Sequence, residues 1–202
     1  MPDTSISPSL VKELREKTNA GMMYCKRALD EAAGDMAKAE ELLRKKGIAS
    51  ASKKASRVAR EGIVASYIHL QGKVGVLVEI NCETDFVAKN DVFREFVKDI
   101  TLHIAASHPL YVSREQVPEA LVQAEREIYA AQVTGKPANI LDKIVDGKVD
   151  KFYGTVCLLE QAFIKNPDLT IRDFVNSKIS ELGENIIIRR FTRYMVGEDL
   201  AA

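Results

Sequence analysis

The chain has 202 residues, with 29 Lys+Arg against 29 Asp+Glu and a formal net charge of zero, enough for a buried core in one medium domain or in a small unit joined to a larger one. Hydrophobic residues at 46% and charged ones at 29% exclude an intrinsically disordered chain. The neutral balance, the absence of Trp and an aromatic content of 6% argue against a nucleic-acid coater, which needs a basic surplus and stacking rings.

Ser7-Pro8-Ser9 predicts a helix start, followed by an amphipathic stretch through Leu10, Val11 and Leu14. Thr18-Asn19-Ala20-Gly21 breaks it. Helical spacing resumes from Met22 to Ala33 through Met22, Cys25 and Leu29, and Gly34 ends it. Asp35 is placed to cap a third helix striped by Ala39, Leu42 and Leu43. Residues 1–47 are therefore expected to form a three-helix module with a marginal core, mobile unless docked. From Arg44 to Arg60 runs a stretch with Arg44, Lys45, Lys46, Lys53, Lys54, Arg57 and Arg60 and no acid. It reads as a solvated linker or helix face, the alternative being a docking strip for an acidic surface. Gly47 and the Ser/Ala-rich residues after it suggest a boundary, with a basic linker over 48–60 and a second domain over 61–202.

The second domain changes period. Ile63 to Leu70 and Val74 to Ile80 are β-branched runs around a Gln71-Gly72 turn, and Ile186 to Val196 reads as a third strand. Between them, Val92, Phe93, Phe96, Val97, Ile100 and Ile104 recur at helical spacing. Glu115 to Val133 predicts a long polar helix with Val117, Leu121, Ile128, Ala124 and Ala131 inward, and Pro137 starts another carrying Ile140, Ile144 and Val145. Phe152 to Leu159 continues apolar. The expected class is α+β: a three-helix unit, then an antiparallel three-stranded sheet packed with helices and carrying a helical, hairpin-like protrusion.

No reaction centre emerges. Gly72-Lys73-Val74-Gly75 is too short for a phosphate-binding loop and sits in a hairpin. His69, His103 and His108 lack metal-ligand spacing, and no nucleophile signature joins Ser, Cys and His. Cys25, Cys82 and Cys157 are odd in number and contain no CxxC, which argues against a disulfide framework or zinc site. Buried free thiols in a reducing cytoplasm are expected, the alternative being one exposed cysteine that bridges two chains. No apolar run approaches the roughly 18 residues of a membrane span, and Met1-Pro2-Asp3-Thr4-Ser5 lacks a secretory signal. The expectation is a cytoplasmic binding protein rather than an enzyme, with no cofactor, no metal, no membrane and no direct nucleic-acid contact.

Two segments are far more specific than composition: LVKELREKTNAGMMYCKRAL from Leu10 to Leu29 and EINCETDFVAKN from Glu79 to Asn90. Together they closely resemble the signature regions of the bacterial elongation factor Ts family, the nucleotide exchange factors of the GTPase elongation factor Tu. The likeness continues through His103-Ile104-Ala105-Ala106-Ser107, Gly135-Lys136-Pro137, Lys151-Phe152 and Gly183-Glu184-Asn185-Ile186. The resemblance implies that the N-terminal module is a ubiquitin-associated-like fold docking on the GTPase's nucleotide domain through Val11, Lys12, Leu14, Arg15, Met22 and Met23. Core packing within the module is the open alternative for Leu14, Met22 and Met23. The resemblance further implies that Thr84, Asp85, Phe86 and Val87 meet the GTPase, Phe86 pushing between two helices near its magnesium and phosphate site. Read without the resemblance, Asp85 would cap a helix and Phe86 would pack inside. With one Gly-Glu-Asn-Ile copy and the chain ending soon after Val196-Gly197-Glu198-Asp199-Leu200, it looks like the family's short form. A single sheet with an exposed edge or face leads to the expectation of a homodimer.

Overall fold

The computed structural model describes residues 6–18, 20–133 and 137–199. Asn19, Gly135, Lys136 and Leu200, quoted above, and the stretch from Met1 to Ser5 lie outside these. The class is α+β, with eight α-helices and a three-stranded antiparallel sheet among the described residues.

The helical module forms with Cys25 and Leu29 inward as expected, but Met22, expected in the same stripe, is exposed at the helix start. α1 (Pro8–Thr18), α2 (Met22–Glu31) and α3 (Met36–Lys54) close around Leu14, Cys25, Ala28, Leu29 and Ala39. Asp35 caps α3, accepting from the Lys38 amide at 3.1 Å. The break expected at Gly47 is not one: α3 runs straight through it to Lys54. Gly47 is buried because a second helix crosses there, the backbone of Asn176 lying 3.6 Å from where a Cβ would stand. The N-terminal half of α3 thus serves the module, while Ala51, further along, packs on the main core. Most of the stretch expected as a linker is therefore a helix shared by both cores. The basic run is also largely paired: Arg44 with Asp173, Lys45 with Glu41, Lys46 with Glu31 and Arg57 with Glu83, at 2.5–3.6 Å. Those four cations have intramolecular partners, which weakens the docking-strip reading.

β1 (Glu61–His69) and β2 (Val74–Cys82) form the expected hairpin, and β2 pairs with β5 (Ile187–Met195) on its other side, giving the order β1-β2-β5. Period-two alternation sends Val74, Val76, Val78 and Ile80 inward. They meet α5 (Asp91–Ser107) through Phe93, Phe96, Val97, Ile100 and Ile104. α8 (Ile171–Leu182) adds Ile171, Phe174, Val175 and Ile179, and Phe174 stacks on Phe163 at 4.6 Å and meets Phe96 edge-on at 5.2 Å. Before α8 lies a short hairpin, β3 (Ala162–Phe163) with β4 (Asn166–Thr170). The opposite face of the sheet carries Val64, Ile68, Leu77, Ile187 and Tyr194, all exposed.

The protrusion pairs α6 (Glu119–Gln132) with α7 (Ala138–Val156). Pro118 stands at the N-cap of α6, so the polar helix begins there and not at Glu115. Its inward residues also differ from expectation. Val117 is buried, Leu121 is partly so, but Ala124, Ala131 and Ile128 are exposed and no residue of α6 is fully buried. A helix with one neighbouring helix has half a core to enter. All three cysteines are buried, which leaves none at the surface to bridge two chains. Burial pushes the Cys82 and Cys157 thiols up to about 11, so neither is a reactive thiolate near neutral pH.

Candidate functional site

β2 ends at Cys82, whose thiol donates to the Thr84 carbonyl at 3.2 Å. The chain then turns into α4 (Asp85–Ala88), a single helical turn, with Thr84 as its N-cap accepting weakly from the Val87 amide at 3.4 Å. Lys89 follows, and Asn90 caps α5 by accepting from the Val92 amide at 2.8 Å. Ala88 and, in part, Val87 are the inward side of this turn, packed on the main core. Phe86 faces the other way and is 82% exposed. The reading in which this ring seals the interior is excluded.

Asp85 is exposed and bonded to Lys89 at 2.7 Å, which holds its carboxyl below the usual range. An exposed pair of this kind is weak and exchanges partners readily. Thr84, expected as a surface contact, has its hydroxyl committed internally: it donates to Glu184 at 2.6 Å. The second oxygen of Glu184 accepts the backbone amides of Glu83 and Thr84, each at 3.0 Å. Glu83 returns the tie by accepting from the Asn185 amide at 2.6 Å, and Asn185 donates from its side chain to the Arg57 carbonyl at 2.9 Å. The turn that presents Phe86 is therefore fastened to the α8–β5 connection and to the segment after α3. In the sequence, Gly183-Glu184-Asn185-Ile186 carries a family likeness and no sign of this tie. Gly183, with a φ of 78°, ends α8 and turns the chain so that Glu184 leaves the helix end towards this distant turn.

The N-terminal set divides. Val11 and Leu14 are core residues of the module and have no surface to offer, because α1 turns that side onto α2 and α3. Met22 and Met23 are 55% and 61% exposed at the start of α2. Lys12 and Arg15 are exposed and, with Glu95, Asp99 and Lys178, line a polar cleft of about 270 Å³ between α1 and the helices α5 and α8. Phe86, Met22, Met23, Lys12 and Arg15 are thus the exposed members of the expected set. Among the described residues no cluster of His, Cys, Asp or Glu has the makings of a metal site, and no helix is long and apolar enough to cross a membrane.

The module is not a free arm. α3 lies along α8, Arg44 reaches Asp173, and Asn166 donates to the Lys17 carbonyl. A larger cavity, about 380 Å³, opens between α3, the α1–α2 turn and α8, lined by Tyr24, Leu43, Asn176 and Ser177 among others.

Comparison with known proteins adds the following. A family model described as Elongation factor TS matches residues 37–198. The chain is 60% identical to the Elongation factor Ts of Carboxydothermus hydrogenoformans over 198 residues, covering 97% of this chain and 91% of that one. It is 57% identical to that of Geobacter sulfurreducens over 97% of this chain and 92% of the other, and 57% identical to that of a Thermoanaerobacter species over 96% and 97%.

Proposed function

Because the chain belongs to the elongation factor Ts family, we propose that it is a translation elongation factor that binds the GDP form of elongation factor Tu and promotes release of the nucleotide. The observation that carries this reading is Phe86, a large rigid ring 82% exposed on a one-turn helix whose base is tied on both sides. A ring held in water buries much area for few lost rotamers when it finds a groove. It inserts between two helices of the GTPase near the magnesium and phosphate site, with Asp85 beside it exchanging Lys89 for a donor on the partner. Met22 and Met23, polarizable and adaptable, dock the N-terminal module on the nucleotide domain, and Lys12 and Arg15 supply charge at the rim. The module is taken as ubiquitin-associated-like.

No bond need be made or broken. A factor that binds the nucleotide-free GTPase more tightly than the GDP form weakens GDP by the same ratio, by thermodynamic linkage. A single coupling of about 1–3 kcal/mol changes affinity roughly 5–150-fold. A wedge and a separate docking module together reach further. Excess GTP then refills the site, and the factor, a non-enzymatic exchanger working in the cytoplasm, leaves unchanged.

The same reading includes a homodimer. The outer sheet face presents Val64, Ile68, Leu77, Ile187 and Tyr194, with Glu79 and Arg190 paired at 2.7 Å beside them. A face that carries several exposed apolar side chains together with both charges suits self-association, which supports a second copy of the chain as its occupant. Two copies place one Phe86 on the nucleotide domain while the other chain covers a second domain of the GTPase.

Mixing the protein with elongation factor Tu loaded with fluorescent GDP tests the proposal. Accelerated release at substoichiometric amounts supports exchange. Binding without acceleration makes the chain an adaptor, and turnover of an added metabolite with no effect on GDP makes it an enzyme.

A further inference from the structure

We infer that Glu184 is a positioning residue for Phe86, fixing the direction in which the ring leaves the surface. The inference rests on the exchange reading above and deepens it. Phe86 is too exposed to be aimed by its own packing, so its direction is that of the α4 backbone. A four-residue helix does not hold itself, since nucleating one turn is unfavourable. Something tertiary must fix it.

Ala88 and Val87 seat the turn on the core, and the Cys82 thiol reaches the Thr84 carbonyl at 3.2 Å. Apolar packing sets depth more than direction, however, and among the polar groups one makes several bonds to the turn. Asp85 and Lys89 pair with each other in solvent, and the Thr84 hydroxyl is a distant cap at 3.4 Å from the Val87 amide. Glu184 stands about a hundred positions along the chain and gives both carboxylate oxygens to this turn. Oε2 takes the amides of Glu83 and Thr84 at 3.0 Å, and Oε1 takes the Thr84 hydroxyl at 2.6 Å. These are charge-assisted bonds to two consecutive residues, which fixes orientation as well as position. They leave the Thr84 oxygen facing the first amides of α4. The reciprocal bond from the Asn185 amide to Glu83 at 2.6 Å, and the Arg57–Glu83 pair at 3.6 Å, close the knot from the other side. Ile186 and Ile188, which follow this polar link, are buried and belong to the main core, so the link itself is not what holds the core together. A wedge displaces a neighbour only if its base does not yield, and Glu184 stiffens that base.

The test measures GDP release from elongation factor Tu with the wild-type chain, Phe86→Ala, Glu184→Ala, Glu184→Gln and the Glu184→Ala/Phe86→Ala double variant. Amide hydrogen exchange over residues 83–89 is measured on the same proteins. Glu184→Ala is expected to slow release at saturating factor by about tenfold, and to speed amide exchange in the turn while β2 and α5 stay protected. Glu184→Gln keeps an oxygen for the two amides and should recover most of the rate. The double variant should be no slower than Phe86→Ala alone, because the carboxylate acts through the ring. A double variant slower by the full Glu184→Ala factor, a wild-type rate in Glu184→Ala, or unchanged amide exchange in the turn would each overturn the assignment. If the wild-type chain does not accelerate release, the exchange reading falls. The anchoring of the turn is then decided by amide exchange alone, faster exchange upholding it and unchanged exchange ending it.

Discussion

At position 86 a phenyl ring is held in water while its neighbours Val87 and Ala88 pack inward, so burial alternates within a single turn. Truncating it removes little from the folded state. Phe86→Ala should change folding stability by less than about 0.5 kcal/mol, as exposed substitutions do, measured by urea or thermal unfolding. Gly62 is the opposite case. Its φ is +141°, and a Cβ there would lie 2.2 Å from the Ile80 carbonyl oxygen on the paired strand. Gly62→Ala should cost more than about 2 kcal/mol, through backbone strain and a clash that no side chain can relieve, and a denaturation midpoint near wild type would contradict this. The exposure of Phe86 was not legible from apolar character, which points inward for any phenylalanine. The resemblance carried that expectation. Nothing in residue type marked Glu184, because its partners are backbone groups brought close only by the fold.

Among the elements, α3 carries the strongest consequence. Read as sequence, Gly47 before a Ser/Ala-rich basic stretch suggests a boundary, but these residues are also what a helix needs where another helix crosses closely. With helical backbone and 3.6 Å to the nearest heavy atom, Gly47→Ala fits at ordinary contact. It should stabilise the protein by about 0.5–1 kcal/mol, the helix-propensity gain; destabilisation on chemical unfolding would show that α3 flexes there. The β1–β2 hairpin and β5 were legible because alternation and β-branched residues agree with the burial of one sheet face. α8 and the β3–β4 hairpin went unread, β3 and β4 having only 2 and 5 residues, too few for any period to show. The protrusion was legible in outline, but its inward positions were overcounted because α6 meets only α7 and the base beneath.

For the whole molecule, two groups of residues set the response to conditions. His103 is fully buried, its Nδ1 accepting from the Ile164 amide at 3.3 Å and its Nε2–H donating to Gln161 at 3.0 Å. Burial lowers its pKa, outweighing the Gln161 bond that favours the charged form. The unfolded chain therefore takes up this proton at higher pH than the folded one. The contribution to stability is intact above about pH 6.5 and is lost as pH falls towards the lower folded-state pKa. Unfolding measured at about pH 7 and about pH 5 should show this loss, and His103→Asn, though less stable overall, should show a smaller difference. The second group is the outer sheet face. Leu77 lies at its centre, between Ser66 and Thr192 on the flanking strands. Leu77→Lys should shift the proposed dimer towards monomer in sedimentation, and remove the concentration dependence that dimerisation gives the melting temperature. A wild-type chain that sediments as a monomer at nanomolar concentration and still drives exchange would remove the dimer from the account.

The release of GDP from elongation factor Tu under Phe86→Ala, set beside the same variant's thermal unfolding, bears most directly on the exposed ring as the working part. Release should slow by roughly tenfold or more, equivalent to a contact worth about 2 kcal/mol, with an unchanged melting curve. Undiminished release by the variant would contradict this.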